Sequence, residues 1–261
     1  MTRIVHISDL HFGRTDADLL QPLLAAVNDA RPDLVAVTGD LTQRARVSQF
    51  RAARQFLDGI AAPWRAVPGN HDIPLDNLAL RMLWPFARYR AQICPNLTPD
   101  FAAPGLTVQG FNTVDPFRWQ RGRVRARDLD AACARFAPAQ GHRVVMAHHP
   151  FEQGRDSHKA LMKHAPRSVA LLAGCGVDVV LSGHLHRWRA APLTAANGWQ
   201  MVQVHVGTGL STRLRGQEND FAILDLDGAC ITLTRMVARN GAFRAGGEWQ
   251  FHRGPNGWES G

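Results

Sequence analysis

Residues 3–11 have the sequence RIVHISDLH, in which a short apolar run with several β-branched side chains ends at Asp9 and His11. Such a run is typical of a buried strand. Similar runs follow at 34–38 and 64–67, and segments with helical spacing lie between them. The helical segments are 17–30 and 47–59. The order strand, helix, strand, helix, strand predicts a parallel sheet with crossover helices, and therefore an α/β fold.

A second series of elements is predicted further along the chain. It consists of strands at 143–147 and 178–181, a helix at 168–174, and strands at 200–206, 221–226 and 229–237. The last three strands have no helices between them. They therefore predict a second sheet that is mixed or antiparallel.

Two segments differ from these patterned regions. Residues 74–127 carry irregularly spaced aromatic residues and prolines, and residues 244–261 are rich in glycine. We interpret 74–127 as a cap-like insert of helices and loops, which either forms a lid over a site or packs as the core of the insert; we favour the second interpretation. We expect the tail at 244–261 to be poorly packed. The prediction is a single domain at 1–243 that contains this insert.

The composition is that of a globular protein with an excess of positive charge. Of the 261 residues, 45% are hydrophobic and 20% are charged, and the formal net charge is +8. Such a surface attracts anions such as phosphate esters, nucleic acid or anionic lipid headgroups, but charge alone does not choose among them. The high arginine content that supplies the charge is equally explained by a compositional habit of the source.

Location and redox state are predicted from what the sequence lacks. No secretory apolar region and no run of membrane-spanning length are present, so we expect a cytoplasmic protein, with peripheral contact to a membrane surface left open. The four cysteines are widely separated and form no CxxC pair; they are Cys94, Cys133, Cys175 and Cys230. We expect them to be reduced and buried. The oligomeric state has no signature in the sequence.

Polar residues follow five of the predicted strands at the point where each strand ends. They are Asp9 and His11, Asp40, Asn70 with His71 and Asp72, His148 with His149, and His184 with His186. In open α/β sheets, sites form at the carboxyl edge of the strands. We therefore expect these side chains to converge on one site.

The residue types in this set suit divalent metal ions. Carboxylate, imidazole and amide ligands favour Mn, Fe, Co, Ni or Zn, and the absence of thiolates disfavours a soft-metal site. Seven ligands are too many for one tetrahedral ion, whereas two ions about 3.5 to 4 Å apart would use them all. A pair of ions lowers the pKa of bound water from about 15.7 towards 7, which supplies hydroxide as a nucleophile at neutral pH.

The ordered motifs D-L-H, G-D-L, G-N-H-D, H-H-P and G-H-L-H, spanning residues 9–186, resemble those of the calcineurin-like metallophosphoesterase superfamily. Among its members the chain is similar to the bacterial class III cyclic nucleotide phosphodiesterases. The resemblance implies an αββα sandwich of two mixed sheets flanked by helices, with a dinuclear site at one edge of the sheets. Mn or Fe is favoured as the metal.

The resemblance also implies a role for each motif residue. It places Asp9, His11 and His186 on one metal, and Asn70, His148 and His184 on the other, with Asp40 bridging them. His71 would contact the phosphate and protonate the leaving oxygen, with Asp72 orienting it. His149 is either a second-sphere or a substrate-facing residue. Arg213 and Arg215, in a loop that resembles one found in some bacterial members, are candidate substrate contacts.

The function indicated is hydrolysis of a phosphate ester, with a diester favoured, by metal-bound hydroxide with His71 as general acid. Hydrolysis of a lipid-linked or nucleotide pyrophosphate is the alternative. A non-catalytic scaffold with the same fold is disfavoured because no ligand of the set is missing. The expected partner is an anionic phosphate-ester substrate, and no stable nucleic-acid partner is predicted.

Overall fold

The computed structural model describes residues 1–154 and 159–261, which form thirteen strands, six α-helices and a short 3-10 helix at Ala17–Leu19. The strands are β1 (Thr2–Ile7), β2 (Leu34–Val37), β3 (Trp64–Ala66), β4 (Asp100–Ala103), β5 (Leu106–Phe111), β6 (His142–Ala147), β7 (Val179–Ser182), β8 (Arg189–Thr194), β9 (Gln200–His205), β10 (Asp220–Asp227), β11 (Cys230–Arg239), β12 (Ala242–Gly254) and β13 (Gly257–Ser260). The helices are α1 (Leu20–Asp29), α2 (Val47–Asp58), α3 (Leu78–Leu83), α4 (Ala87–Gln92), α5 (Ala126–Phe136) and α6 (Ala165–Gly174).

The strands form two halves that are hydrogen-bonded along one path. The order is β3-β2-β1-β10-β11-β12-β13-β9-β7-β6-β5-β4, and β8 pairs with β9. In the first half β1, β2 and β3 are parallel, and β10 joins β1 antiparallel. In the second half β5, β6, β7 and β9 are parallel. In this half β4 pairs with β5 and β8 with β9 in the antiparallel sense. Both sheets are therefore mixed, and the halves meet where Gly257 of β13 lies opposite Gln200 of β9.

The two sheets pack face to face between two layers of helices. Ile4 of β1 and Val204 of β9 belong to the same buried core cluster, which fills the space between the sheets. The neighbouring residue Val5 points to the other face of β1 and packs with α1 and α2. Val180 of β7 likewise packs with α5 and α6. Burial on both faces explains why these strands are continuous apolar runs. The predicted αββα class is confirmed.

The predicted strands are all present, and their ends agree with the sequence-based bounds to within two residues. The helices predicted at 17–30, 47–59 and 168–174 are also present, as the 3-10 helix with α1, as α2 and as α6. Within the described ranges, no helix is long and apolar enough to cross a bilayer.

The region predicted as a cap-like insert is in part the body of the sandwich. It contains the short helices α3 and α4, but also β4 and β5. Strand β5 pairs with β6 over six residues, and its Leu106 and Val108 lie in the core between the sheets. The strand was missed because Gln109 and Gly110 interrupt its apolar pattern. An insert at 74–127 is therefore wrong for residues 100–111.

The prediction of a poorly packed tail is also wrong. Residues 244–254 continue β12, and the next strand, β13, ends at Ser260. Phe251 and Trp258 are completely or almost completely buried. Trp258 Nε1 also donates a hydrogen bond of 2.9 Å to Asp178 Oδ1. Two large apolar anchors and paired strands outweigh the glycine content of this segment.

The cysteines differ from the prediction as well. Cys133 of α5 and Cys175, which follows α6, form a disulfide with a Cα–Cα distance of 5.3 Å. Cys94 and Cys230 are free and partly exposed. The packing of α5 against α6 brings together two cysteines 42 residues apart. Spacing along the chain cannot reveal such a pair.

Candidate metal centre

The seven predicted ligands lie together at the carboxyl ends of β1, β2, β3, β6 and β7. Each follows its strand by one to four residues, and all seven side chains are buried, with at most 5% of any residue exposed. The residues are Asp9, His11, Asp40, Asn70, His148, His184 and His186. Within each half of the sandwich, parallel strands bring their carboxyl ends to one edge. The face-to-face packing of the two halves brings these two edges together, so residues up to 177 positions apart meet here.

One group contains Asp9, His11, Asp40 and His186, whose ligand atoms all lie within 4.8 Å of one another. His186 Nε2 is 3.1 Å from Asp9 Oδ1 and 3.1 Å from His11 Nε2. His11 Nε2 is 3.9 Å from Asp40 Oδ2. Donor atoms this close together can bind one metal ion.

The second group is built around His148. Its Nε2 lies 3.2 Å from Asn70 Oδ1, 3.2 Å from His184 Nδ1 and 3.4 Å from Asp40 Oδ2. His148, His149 and His184 also form a set of ligand atoms within 4.8 Å of one another. Asp40 Oδ2 therefore faces both groups, at 3.4 Å from His148 and 3.9 Å from His11.

The hydrogen bonds behind the imidazoles show that lone pairs face into this space. His148 Nδ1 lies 2.8 Å from Thr38 O, and His186 Nδ1 lies 3.1 Å from Arg213 O. A carbonyl only accepts, so the Nδ1 atoms carry the protons and the Nε2 atoms are free to bind a cation. Asp9 Oδ1 is buried and accepts no hydrogen bond from the described residues. Facing lone pairs at about 3 Å require a proton or a metal between them, so the site fits metal ions.

The charge states of the site are those that metal binding requires. Burial opposes ionisation of Asp9, but His186 and then His148 hold the pKa of Asp9 below its usual range. The pKa of Asp40 is also held well below its usual range. Burial opposes its ionisation, and His148 is the neighbour that lowers this pKa most. Burial lowers the pKa of His11 to about 3 against the attraction of Asp40. Ionised carboxylates and a neutral imidazole are the forms that ligate metals.

His148 is the exception. Burial disfavours its imidazolium, but the Asp40 carboxylate, by its charge and by a hydrogen bond, raises the pKa of His148 to about 9. A proton on Nε2 takes the place that a cation would occupy between His148 and Asp40. Metal and proton therefore compete for the same position.

The backbone is strained at five of the seven positions. Asp9, His11, Asp40, His184 and His186 all have positive φ, between 51° and 71°. A non-glycine residue in this left-handed region costs on the order of 1 to 3 kcal/mol. Five such residues occur together here because the tight turns that leave the strands direct their side chains into the site.

Two glycines permit these turns to approach each other. A Cβ at Gly69 would clash with the Asp40 carboxylate, and a Cβ at Gly183 would clash with Ser8 Oγ and Asp9 Oδ2. Neither glycine has a positive φ, so close approach is what requires them. Asp9 Oδ2 in turn accepts hydrogen bonds from Ser8 Oγ at 2.6 Å and from the His184 backbone N–H at 2.9 Å.

His71 lies at the opening of the site rather than among the ligands. Its Nδ1 faces Gln43 O at 2.9 Å, and its Nε2 faces Arg213 Nη1 at 3.2 Å. Its ring centroid is 5.0 Å from that of His11. The backbone N–H of His71 donates to Asp40 Oδ1 at 2.7 Å. The imidazole therefore has one fixed nitrogen and one that faces the mouth of the site.

The expectation that Asp72 orients His71 is wrong. Asp72 Oδ2 accepts hydrogen bonds from the N–H groups of Leu41 and Gly69, and Oδ1 accepts from the N–H and Oγ1 of Thr42. It thus ties the loop that carries Asp40 to the loop that carries Asn70. The carbonyl of Gln43 orients the His71 ring instead. A motif places Asp72 beside His71 along the chain, but successive side chains in a turn point in different directions.

His149, Arg213 and Arg215 occupy different surroundings. His149 is buried, its Nδ1 lies 2.8 Å from Thr113 Oγ1, and its ring packs 4.5 Å from that of His184. Arg213 is half-buried beside His71, and its carbonyl holds His186. Arg215 is exposed, and its charge contributes to lowering the pKa of Lys159. A substrate role for these three residues stays a prediction.

Lys159 belongs to the site but was not identified from the sequence. Its Nζ donates a hydrogen bond of 2.6 Å to His184 O and lies 3.3 Å from His184 Nε2. Burial is the main cause that lowers its pKa, to about 8. No motif marks this lysine, which lies ten residues after His149. Only tertiary structure reveals it.

A protein-family comparison decides the assignment of this site. The model of the calcineurin-like phosphoesterase family matches residues 2–188, which include all seven candidate ligands. The chain belongs to this family. It is accordingly a metal-dependent phosphoesterase, as the sequence motifs predicted.

Relatives and solved structures agree with this assignment. The chain is 27% identical over 200 residues to a probable cyclic nucleotide phosphodiesterase from Synechococcus, covering 70% of this chain and 73% of that protein. It is 28% identical over 204 residues to a cAMP/cGMP dual specificity phosphodiesterase from Mycobacterium tuberculosis, covering 70% of this chain and 61% of that one. A dimetal phosphatase from Danio rerio has the same fold, with a TM-score of 0.66 at 13% identity over 94% of this chain and 98% of that one.

Proposed function

We propose that this chain is a dinuclear-metal-dependent phosphodiesterase. The observation that carries the proposal is the position of Asp40, whose Oδ2 faces His11 of one donor group and His148 of the other. One carboxylate oxygen between two sets of lone pairs suits a pair of cations better than a single one.

The two donor groups suggest how the ligands would divide between two cations. Asp9, His11 and His186 would hold one ion, Asn70, His148 and His184 would hold the other, and both would share Asp40. When bound, the two ions supply Lewis acidity that neutralises phosphate oxygens and makes water acidic enough to attack at neutral pH. Ser8 and the Asp72 carboxylate fix the loops on which these ligands stand.

His71 acts as the general acid. With Nδ1 protonated and fixed on Gln43 O, the imidazole accepts a hydrogen bond from Arg213 through Nε2. An incoming phosphate attracts the Arg213 guanidinium, which frees Nε2 to take up a proton from water and deliver it to the leaving oxygen. Arg213 thereby links substrate binding to the protonation of His71.

Positively charged side chains near the site match the negative charge of the substrate. Lys159 Nζ lies beside His184, Arg213 lies beside His71, and Arg215 is exposed on the same loop as Arg213. These groups suit a phosphate ester. The names of the relatives from Synechococcus and Mycobacterium tuberculosis support a diester, with cyclic nucleotides as the candidate substrates.

The test is a substrate panel with Mn²⁺. It compares bis(p-nitrophenyl) phosphate, p-nitrophenyl phosphate and 3′,5′-cyclic AMP, using the metal-free protein and Lys159→Met as companions. We expect metal-dependent hydrolysis of both diesters, with the kcat/KM of the monoester lower by about tenfold or more. Lys159→Met should lower kcat/KM while retaining both metals. Faster hydrolysis of the monoester, or diester hydrolysis that does not depend on metal, would contradict the proposal.

A further inference from the structure

A cluster of exposed apolar side chains lies on α3 and on the loop at 116–119. We call it the apolar patch; its members are Leu78, Met82, Leu83, Trp84, Phe117 and Trp119, which are between 41% and 70% exposed. They account for six of the nine large apolar side chains that are exposed among the described residues. Scattered exposed apolar residues are ordinary, but a contiguous group of this kind marks an interaction surface.

The patch is held in place by a buried arginine. Only 3% of Arg81 is exposed, and its guanidinium donates to Pro116 O at 2.7 Å, to Arg118 O at 2.7 Å and to Pro74 O at 3.2 Å. The same group lies 4.9 Å from the centroid of the Trp119 ring. Arg81 therefore fastens α3 to the 116–119 loop, so that apolar side chains from two segments form one surface.

The charges around the patch favour an anionic partner. Arg118 and Arg121 are exposed beside it, and Asp76 is the exposed acidic residue on the α3 side. The local balance is positive, as is the formal net charge of +8 for the whole chain. Tryptophan at the level of lipid headgroups, with apolar neighbours buried below and arginine on anionic lipids, is the pattern of a membrane-surface site.

The size of the patch also distinguishes a bilayer from a protein partner. A stable protein interface takes about 20 to 30 residues on each side. The patch offers six apolar side chains on one short helix and one loop. A bilayer needs only a few anchors of this kind together with electrostatic attraction.

The patch borders the metal centre. The loop that carries Phe117 and Trp119 continues to Gly122, where an added Cβ would clash with the His149 ring. Earlier in the same loop, Thr113 Oγ1 lies 2.8 Å from His149 Nδ1. On the other side, Pro74 O, which binds Arg81, is two residues after Asp72. A partner that binds the apolar patch would therefore lie close to the metal centre.

We infer that the apolar patch docks this protein on a bilayer that contains anionic lipid. Trp84 and Phe117 enter the interface, while Arg118 and Arg121 bind headgroup phosphates. This surface is separate from the catalytic residues, and docking does not depend on the chain's being a phosphodiesterase.

Co-sedimentation with vesicles tests the inference. The metal-loaded full-length protein is mixed with vesicles of phosphatidylcholine and phosphatidylglycerol at 7:3, or of phosphatidylcholine alone. The double variant Trp84→Ser, Phe117→Ser removes two apolar anchors. It keeps the contact between the Trp119 ring and the Arg81 guanidinium. Leu171→Ser, on the exposed face of α6, is the matched control. Thermal unfolding and hydrolysis of the soluble bis(p-nitrophenyl) phosphate show whether each variant is intact.

We expect the parent and Leu171→Ser to bind the anionic vesicles, and the double variant to partition more weakly by about tenfold or more. Salt should weaken binding by screening the arginines, and phosphatidylcholine alone should bind less. The inference is overturned if the parent stays in the supernatant, or if the double variant binds like the parent. Loss of activity on the soluble diester in the double variant would make the patch a substrate contact instead. Sedimentation velocity showing a dimer that only the double variant disrupts would make it an interface between copies.

Discussion

The metal centre and the cluster around Asp178 lie at opposite ends of strand β7, and both contain a buried aspartate. Asp178 immediately precedes β7, whereas His184 follows its last residue by two positions. Both regions pair a buried carboxylate with a buried imidazole, which in the Asp178 cluster is that of His142. What distinguishes them is how the carboxylate oxygens are used.

The Asp178 carboxylate is fully occupied by donors from the protein. Oδ1 accepts from Arg253 Nη2 at 2.7 Å and from Trp258 Nε1 at 2.9 Å, and Oδ2 accepts from the Arg143 backbone N–H at 2.8 Å. Asp9, in contrast, leaves Oδ1 without a donor among the described residues, directed at the unprotonated Nε2 of His186. A saturated carboxylate is a structural joint, and one with an unpaired oxygen that faces lone pairs is a cation site.

The largest effect on kcat is expected when the shared carboxylate of Asp40 is removed. In Asp40→Ala both donor groups lose an oxygen, so we expect kcat to fall by more than about 10⁴-fold, the upper end of the contribution of a single general acid. The number of metal ions bound per chain should fall below two, as measured by elemental analysis. Asp178→Ala is the matched control and should keep its metals. Full metal content with kcat within tenfold of the parent would contradict the assignment.

The next largest effect is expected at His71, which lies beside the ligands without being one of them. His71→Ala should lower kcat by about 10² to 10⁴-fold, because the leaving oxygen loses its proton donor. Two metal ions should remain bound, which separates this variant from Asp40→Ala. His252→Ala, at an exposed histidine on β12, should change neither quantity. If His71→Ala instead loses metal, the imidazole is a ligand and the general-acid role is withdrawn.

Removing the saturated carboxylate should affect stability rather than catalysis. Asp178→Ala leaves the donors of Trp258 and Arg143 without an acceptor, so we expect the free energy of unfolding to fall by about 2 to 4 kcal/mol. Urea denaturation measures this loss, with kcat expected within twofold of the parent. A variant as stable as the parent would show that water replaces the carboxylate at no cost.

The smallest predicted effect concerns pH. Since Asp40 raises the pKa of His148 to about 9, a proton must leave His148 before its Nε2 can bind a cation. The affinity for the second metal ion should therefore rise by about tenfold per pH unit from pH 7 to 9 and level off above pH 9. Calorimetric titration of metal-free protein with Mn²⁺ checks this, and uptake at pH 7 should release about one proton. A pH-independent affinity would mean that another donor, such as His149, takes the place of His148.

Much of the fold and the buried position of the candidate ligands was predictable from the sequence, for a definite physical reason. Strands buried on both faces must be continuous apolar runs, so β1, β2, β6 and β7 are visible without coordinates. In parallel strands the residue after each run lies at the same sheet edge, so the polar termini of β1, β2 and β3 converge, as do those of β6 and β7. The face-to-face packing of the two halves then brings the two sets together.

Contacts between distant segments were decided by tertiary structure alone. Lys159 reaches His184 from a segment without a motif, and Gln43 rather than Asp72 orients His71. The buried Trp258 anchors the C-terminal segment, whose glycine content predicted poor packing. The packing of α5 against α6 brings Cys133 and Cys175 together. Periodicity records which face of an element is buried, but it carries no information on which other element covers that face. The sequence by itself therefore determined the elements and their chemistry, while the three-dimensional packing determined which side chains hold one another in place.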